Sequence, residues 1–312
     1  MERSDGTEMP ILVTGATGFT GSLFLGHLTR GSPGREVHCL IRPTSDCSLL
    51  SKLDLQLQYW EGDSASPQTW REILTQLTPA TLVHIASIRH VPVLLEQLAA
   101  AGQQPRLVVV GTTGVYSQFN QYSATYRQIE AALAQYPGNC CLLRPTMIYG
   151  SQRDKNLHKL IRFCDRAGFF PVFGSGNCLL QPVHADDLAQ AIWTAVQQPE
   201  IQGAYDLSGG SVVTFRELLA LVSQCLSKRI VPVPIPLRGG VWLATGLEQI
   251  LGRRSPVRRE QILRLQEDKA YDNSAARRDL QFAPRSLELG LQQQVDELRQ
   301  LGAIAPLRPT NL

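Results

Sequence analysis

The 312-residue sequence contains no C-x-x-C pair, no apolar run long enough to span a bilayer, no internal repeat and no low-complexity tract. Each absence removes a class of function. The seven cysteines, Cys39, Cys47, Cys140, Cys141, Cys164, Cys178 and Cys225, show no spacing suited to a metal. Most stand beside apolar residues, as buried reduced thiols do, so a cytoplasmic location is expected. The opening MERSDGTEMP is polar and acidic, and the apolar run after it, Ile11 to Val13, is short. Neither a signal peptide nor a membrane span is read there. The most membrane-like stretch, Ile230 to Leu251, is divided by Pro232, Pro234, Pro236 and Arg238-Gly239-Gly240. It reads as a strand, a turn and an amphipathic helix. The net charge is only +3, and apart from the short cluster Arg253, Arg254, Arg258 and Arg259 the basic residues are scattered. Nucleic acid is therefore not an expected partner.

What the sequence does have is alternation. Short β-branched and leucine-rich runs fall at Pro10 to Thr14, Glu36 to Ile41, Leu55 to Trp60, Thr81 to Ile85, Arg106 to Thr112 and Asn139 to Arg144. Between them, Gly18 to Arg30, Pro67 to Leu77, Val91 to Ala101 and Tyr122 to Tyr136 carry apolar residues at helical spacing. This order predicts an α/β fold, a Rossmann-type doubly wound parallel sheet covered by helices. Beyond Arg144 the pattern loosens into a helix at Asp154 to Ala167, a Pro/Gly-rich turn near Pro171 to Gly176, a helix at Asp186 to Gln197 and one more core strand at Gly203 to Leu207. The expected division is a dinucleotide-binding domain of residues 9–147 plus about 180–208, interleaved with a smaller C-terminal lobe of residues 148–179 plus 209–312.

Thr14-Gly15-Ala16-Thr17-Gly18-Phe19-Thr20-Gly21 follows one predicted strand and opens a predicted helix. Glycines there allow a tight turn, close approach to a pyrophosphate and close helix packing, and the helix N-terminus offers free N–H groups to the phosphates. Gly15, Thr17, Gly18, Phe19, Thr20 and Gly21 are the candidate phosphate-binding residues. At the end of the second strand, where an acidic residue would hold the adenosine ribose, the chain has Ile41 followed by Arg42. A guanidinium suits a ribose 2′-phosphate, so NADP(H) is favoured and NAD(H) is the alternative. Asp63, followed by Ser64, has two readings: a carboxylate for the adenine amino group, or a cap for the helix near Pro67.

With these pieces placed, the chain resembles the extended branch of the short-chain dehydrogenase/reductase superfamily, the NAD(P)-dependent epimerases and dehydratases. The resemblance rests on TGATGFTG, His84-Ile85-Ala86-Ser87, Val115-Tyr116, Leu143-Arg144-Pro145-Thr146-Met147-Ile148-Tyr149-Gly150, Gln181 to Ala189 and Asp272 to Leu280. It implies that Ala86 lies against the cofactor, that Thr112 positions a reacting oxygen, and that Tyr122 is the acid or base. Glu130 anchors that alignment and places Tyr126 where the family has a lysine. A phenol carries no positive charge near neutral pH, so the chain departs from the family at the group that activates the tyrosine. Arg127, one step along, is turned roughly 100° away on a helix.

Family members that act on nucleotide sugars often carry an arginine where this chain has Leu179-Leu180, which argues against such a substrate. Arg153, Lys155 and Asn156 read either as ligands for an anionic or hydroxylated molecule or as a polar helix start. His184, Asp186 and Asp187 read as cap and first-turn charges, with no metal expected. Two functions remain: an atypical oxidoreductase or epimerase acting on a carbonyl or alcohol of a small molecule, or a non-catalytic NADP(H)-binding sensor or assembly subunit. A homodimer or a protein-complex partner is compatible with either.

Overall fold

The computed structural model describes residues 10–237, Gly239, Thr245 and 259–306. Strand β1 (Ile11–Thr14) is the hub of a seven-stranded sheet, paired in parallel with β2 (Glu36–Ile41) on one side and β4 (Thr81–His84) on the other. Outward from β2 lies β3 (Gln56–Glu61); outward from β4 come β5 (Arg106–Val110), β6 (Cys140–Pro145) and β11 (Gly203–Leu207). Every pairing in this sheet is parallel. The strand order reverses at β1, and in sheets of this kind the crevice at that reversal is where ligands bind.

Alternation along the strands explains why they read as continuous apolar runs. Ile11, Val13, Val37, Cys39, Val83 and Val108 belong to one core, while Leu12, Leu40, Leu82, Leu107 and Val109 belong to another on the opposite face. Both faces are covered, so neither side of a strand needs polar residues. Phe24, Leu25 and Leu28 of α1 (Phe19–Gly31) pack on the first face with Leu188 and Ile192 of α6 (Ala185–Gln197). The second face is covered by α2 (Pro67–Gln76), α3 (Val91–Ala100) and α4 (Ser123–Ala134), through Trp70, Leu94, Leu98, Ile129 and Leu133.

A third core gathers Tyr149, Leu157, Ile161, Cys164, Leu218, Val222, Leu291 and Val295. It is formed mainly by α5 (Leu157–Ala167), α7 (Phe215–Leu226) and α10 (Leu287–Gln300). Short strands flank it: β7 (Ile148–Tyr149) pairs with β10 (Val183–His184), and β9 (Leu179–Leu180) with β12 (Val213–Thr214). Two short helices, α8 (Arg259–Arg264) and α9 (Ser274–Asp279), complete the described chain.

Several expectations shift. The turn expected at Pro171 to Gly176 is instead strand β8 (Phe169–Phe173), paired in parallel with β13 (Val231–Ile235), and the chain turns only at Gly174. Proline is tolerated because this is an isolated two-stranded ribbon, whose outer edges make no ladder bonds. Strand β5 ends at Val110, two residues short of Thr112, and α5 begins at Leu157, after a turn in which Asp154 accepts from the backbone N–H groups of Asn156 (2.7 Å) and His158 (3.3 Å). The strand expected from Ile230 is β13. The amphipathic helix through Leu251 and the cluster Arg253, Arg254 and Arg258 lie outside the described residues, as does the N-terminal polar segment through residue 9. All seven cysteines are free thiols, and burial pushes Cys39 and Cys141 up to about 12. No helix among the described residues is long and apolar enough to cross a membrane.

Candidate active site

The chain leaves β1 at Thr14 and turns at Gly15, whose φ of +73° is left-handed. A Cβ on Gly15 would stand 2.8 Å from the backbone nitrogen of Ala86, and one on Gly21 would stand 2.1 Å from the Gly15 carbonyl. Only glycine fits these two positions. Gly18 occupies the N-cap of α1 and offers no side-chain acceptor, so the first-turn N–H groups remain available at the cavity wall. A buried lock holds the loop from behind. The Thr14 hydroxyl donates to His84 Nδ1 (3.0 Å) and accepts from the Ala86 N–H (3.4 Å), while His84 Nε2 donates to the Ser87 carbonyl (3.1 Å). Burial holds His84 down at about 4, which keeps it neutral and fixes this pattern.

In front of the loop lies a cavity of about 970 Å³. Gly15, Thr17, Gly18, Phe19, Thr20, Gly21, Arg42, Asp63, Ser64 and Ala86 all line it, so residues from the ends of four separate strands converge. Arg42 bonds Ser45 Oγ through its backbone N–H (3.1 Å), and its exposed guanidinium has no partner among the described residues. Asp63 Oδ1 accepts from the Ala65 N–H (2.9 Å), so it braces the turn before α2 while still lining the cavity. The Ser64 hydroxyl is already paired with His90 Nδ1 at 2.8 Å.

Tyr122 stands at the N-cap of α4, 38% exposed, with the Tyr126 ring 6.3 Å away, and both line the same cavity. Thr112 does not. It lines a second cavity of about 420 Å³ with Thr113, Leu157, Phe215, Arg264 and Lys269. The two cavities adjoin through Thr146, Met147 and Asn156, which line both. Thr112 Oγ1 accepts from the Gly114 N–H (3.0 Å), leaving its own hydrogen free to donate.

Three residues unnoticed in the sequence, or noticed for another reason, shape this corner. Arg89 lies over the face of the Tyr122 ring, 4.7 Å from its centroid. Arg127 is committed elsewhere, donating to the Val115 carbonyl (3.1 Å). Arg153 crosses from the third core to the glycine loop, donating to Ser22 Oγ (3.0 Å) and the Thr17 carbonyl (2.7 Å) and lying over Phe19. Lys155 and Asn156 line the cavity beside it.

Beneath the corner is a polar network. Arg144 donates to both oxygens of Glu130 (Nε to Oε1 3.0 Å, Nη2 to Oε2 2.6 Å) and to the Tyr116 hydroxyl (3.0 Å), which donates to Asp206. Burial and the Asp206 carboxylate push Tyr116 up to about 12. The network ties α4 to β6 and β11, and that gives Glu130 a structural reason to mark the alignment. Above it, Glu267 accepts from Ser117 Oγ (2.7 Å) and the N–H groups of Gln118 (2.6 Å) and Phe119 (3.2 Å), closing the loop before Tyr122. His184, Asp186 and Asp187 bring donor atoms within 4.8 Å of one another, yet Arg285 pairs with both carboxylates at 2.8 and 2.7 Å. His184 also accepts the Asp186 N–H as an N-cap, as expected of a structural element.

Residues 11–207 match the model of the NAD dependent epimerase/dehydratase family, and the chain belongs to that family. It is an enzyme family of the short-chain dehydrogenase/reductase type. A trifunctional UDP-glucose 4,6-dehydratase/UDP-4-keto-6-deoxy-D-glucose 3,5-epimerase/UDP-4-keto-L-rhamnose-reductase of Arabidopsis thaliana is 25% identical over 247 residues, covering 64% of this chain and 37% of that protein. The mitochondrial NADH dehydrogenase [ubiquinone] 1 alpha subcomplex subunit 9 of the same plant is 30% identical over 112 residues, 35% of this chain and 27% of that protein. The match thus spans roughly a third of the length of several of the curated relatives. Among solved structures, a UDP-glucose 4-epimerase from Thermotoga maritima with UDP-glucose shares the fold with a TM-score of 0.70 and 20% identity, over 94% of this chain and 99% of the other.

Proposed function

We propose that this chain is an NADP(H)-dependent oxidoreductase or epimerase acting on a carbonyl or alcohol of a small molecule. The observation that carries the reading is convergence: the candidate cofactor residues and Tyr122 line one cavity at the reversal of the sheet. The glycine cradle fits a dinucleotide, since side chains at Gly15 and Gly21 would collide with the backbone of Ala86 and Gly15 and open the tight turn that brings the loop's N–H groups to a pyrophosphate. Gly15 to Gly21 would hold the phosphates, Arg42 a ribose 2′-phosphate, and Asp63, Ser64 and Ala86 the adenine side. The cofactor supplies hydride chemistry, and the protein's part is orientation and proton handling. In this reading Tyr122 gives or takes the proton, and Thr112 donates its free hydroxyl hydrogen to a substrate oxygen reached through the shared wall. Arg89, against the Tyr122 ring, supplies a cation where Tyr126 supplies none.

Calorimetric titration of the purified chain with NADPH and NADH, repeated on Arg42→Ala, is the test. Tight NADPH binding that weakens selectively in the variant supports the cofactor assignment, and absence of binding to either dinucleotide rejects the reading.

Two observations favour a second reading, a non-catalytic cofactor-binding subunit. Tyr126 occupies the position of the family's lysine, and one relative is named as a subunit of NADH dehydrogenase. Tyr126→Lys separates the readings: a large gain in turnover on a carbonyl panel points to a natural chain that binds without turning over.

A further inference from the structure

The second cavity has a composition unlike that of a site for a polyhydroxylated ligand. Met147, Leu157, Leu160, Leu180, Phe215 and Leu218 form an apolar wall. Much of its polar lining is already committed. Thr113 donates to the Pro145 carbonyl (3.3 Å), Thr146 to the Gln181 carbonyl (2.5 Å), and Gln181 spends its amide on the Gly209 carbonyl (2.8 Å) and the Tyr271 N–H (2.9 Å). What remains is the Thr112 hydroxyl, the Asn156 side-chain amide on the wall shared with the first cavity, and two cations, Arg264 and Lys269.

Among the described residues, neither cation has a carboxylate at hydrogen-bond distance. Lys269 Nζ donates to the Arg264 carbonyl, a neutral acceptor, and burial lowers its pKa. The neighbouring carboxylates are occupied: Glu267 by the loop before Tyr122, Asp268 by the Leu179 N–H (2.8 Å). Arg264 has Glu260 at 3.9 Å, and its Nε is buried with no hydrogen-bond partner. Half-buried cations lining a largely apolar cavity, with no carboxylate in close contact, favour an anionic ligand.

We propose that this cavity binds an apolar carboxylate, its anionic group on Arg264 and Lys269, its carbonyl or hydroxyl oxygen on Thr112, and its hydrocarbon body on the leucine and phenylalanine wall. The assignment rests on the oxidoreductase reading only in naming the ligand as substrate; the cavity's selectivity stands independently of it. A nucleotide sugar would place hydroxyls against Leu157, Leu160, Leu180 and Leu218 and leave them without partners.

Octanoate, octan-1-ol and UDP-glucose, each titrated calorimetrically into the purified chain, test the proposal. Octanoate is expected to bind at least about tenfold tighter than octan-1-ol or UDP-glucose, and to lose about tenfold in Lys269→Met and in Arg264→Gln, the charge-assisted contact being roughly 1.4 kcal/mol. Leu160→Trp, which fills the cavity, should abolish binding. Thermal melts followed by far-UV circular dichroism on every variant report whether the fold is intact, and a variant that has lost it is replaced in the comparison by the other two. Tighter binding of UDP-glucose than of octanoate, no octanoate binding, or octanoate affinity unmoved by all folded variants overturns the proposal. If no dinucleotide binds the wild-type chain while octanoate behaves as described, the oxidoreductase reading fails and the carboxylate site stands.

Discussion

The glycine loop and the N-terminus of α4 face the same cavity but are built from different material. The loop is backbone, clamped by sterics: Gly15 against Ala86, Gly21 against the Gly15 carbonyl, and His84 and Thr14 locked behind. The α4 corner is side chain, with Tyr122 exposed, Tyr126 half-buried and Arg89 lying over the ring from another element. A backbone-built site cannot change a residue without losing its shape. A side-chain site on a rim can exchange lysine for tyrosine while the fold beneath it, pinned by Arg144 and Glu130, stays as it was. The departure read in the sequence, Tyr126 where the resemblance expects a lysine, falls in this second region.

The comparison breaks if the loop tolerates substitution. Gly21→Ala should abolish dinucleotide binding and cost about 3 kcal/mol or more in a denaturant melt, because the clash is with backbone that cannot swing aside. Acid probes the lock behind the loop. His84 sits at about 4 when folded, below its ordinary 6.5, so the unfolded chain takes up the proton first and stability falls as pH drops from 6.5 toward 4. The loss attributable to His84 is on the order of 3 kcal/mol by pH 4, His184 acts in the same direction, and thermal melts across that range measure it. Arg42→Ala should weaken NADPH about tenfold, near 1.4 kcal/mol, and leave NADH within a factor of three. The smallest effect belongs to the other region. Tyr126→Lys should change stability by less than about 0.5 kcal/mol in the same melts, and a larger loss would show that the corner is as constrained as the loop.

Much of the sheet was legible because each buried strand carries apolar residues on both faces and each connecting helix shows its stripe. The glycine loop was legible for the same local reason, since strand, turn and helix start are contiguous. What escaped was long-range. Arg153 looks like a polar helix start until the fold brings it to Thr17, some 136 residues away in sequence. Arg89 has no motif to mark it; only the turn after β4 places it on Tyr122. Thr112 and Tyr122 are near in sequence, yet the loop tied down by Glu267 sends them to different cavities. Strand β8 was hidden because proline and glycine look like a turn wherever the partner strand is unknown.

The position of β11 bears on how the chain comes off the ribosome. Strand β6 is made early, but the partner that covers its outer edge, β11, follows only after the excursion through α5, β8 and α6. During that interval Cys140 to Pro145 presents open N–H and C=O groups along an apolar strand, the arrangement most prone to pair with another chain. Slower translation across residues 146–203 is therefore expected to lower the yield of folded chain, by prolonging the time for which that edge stands open.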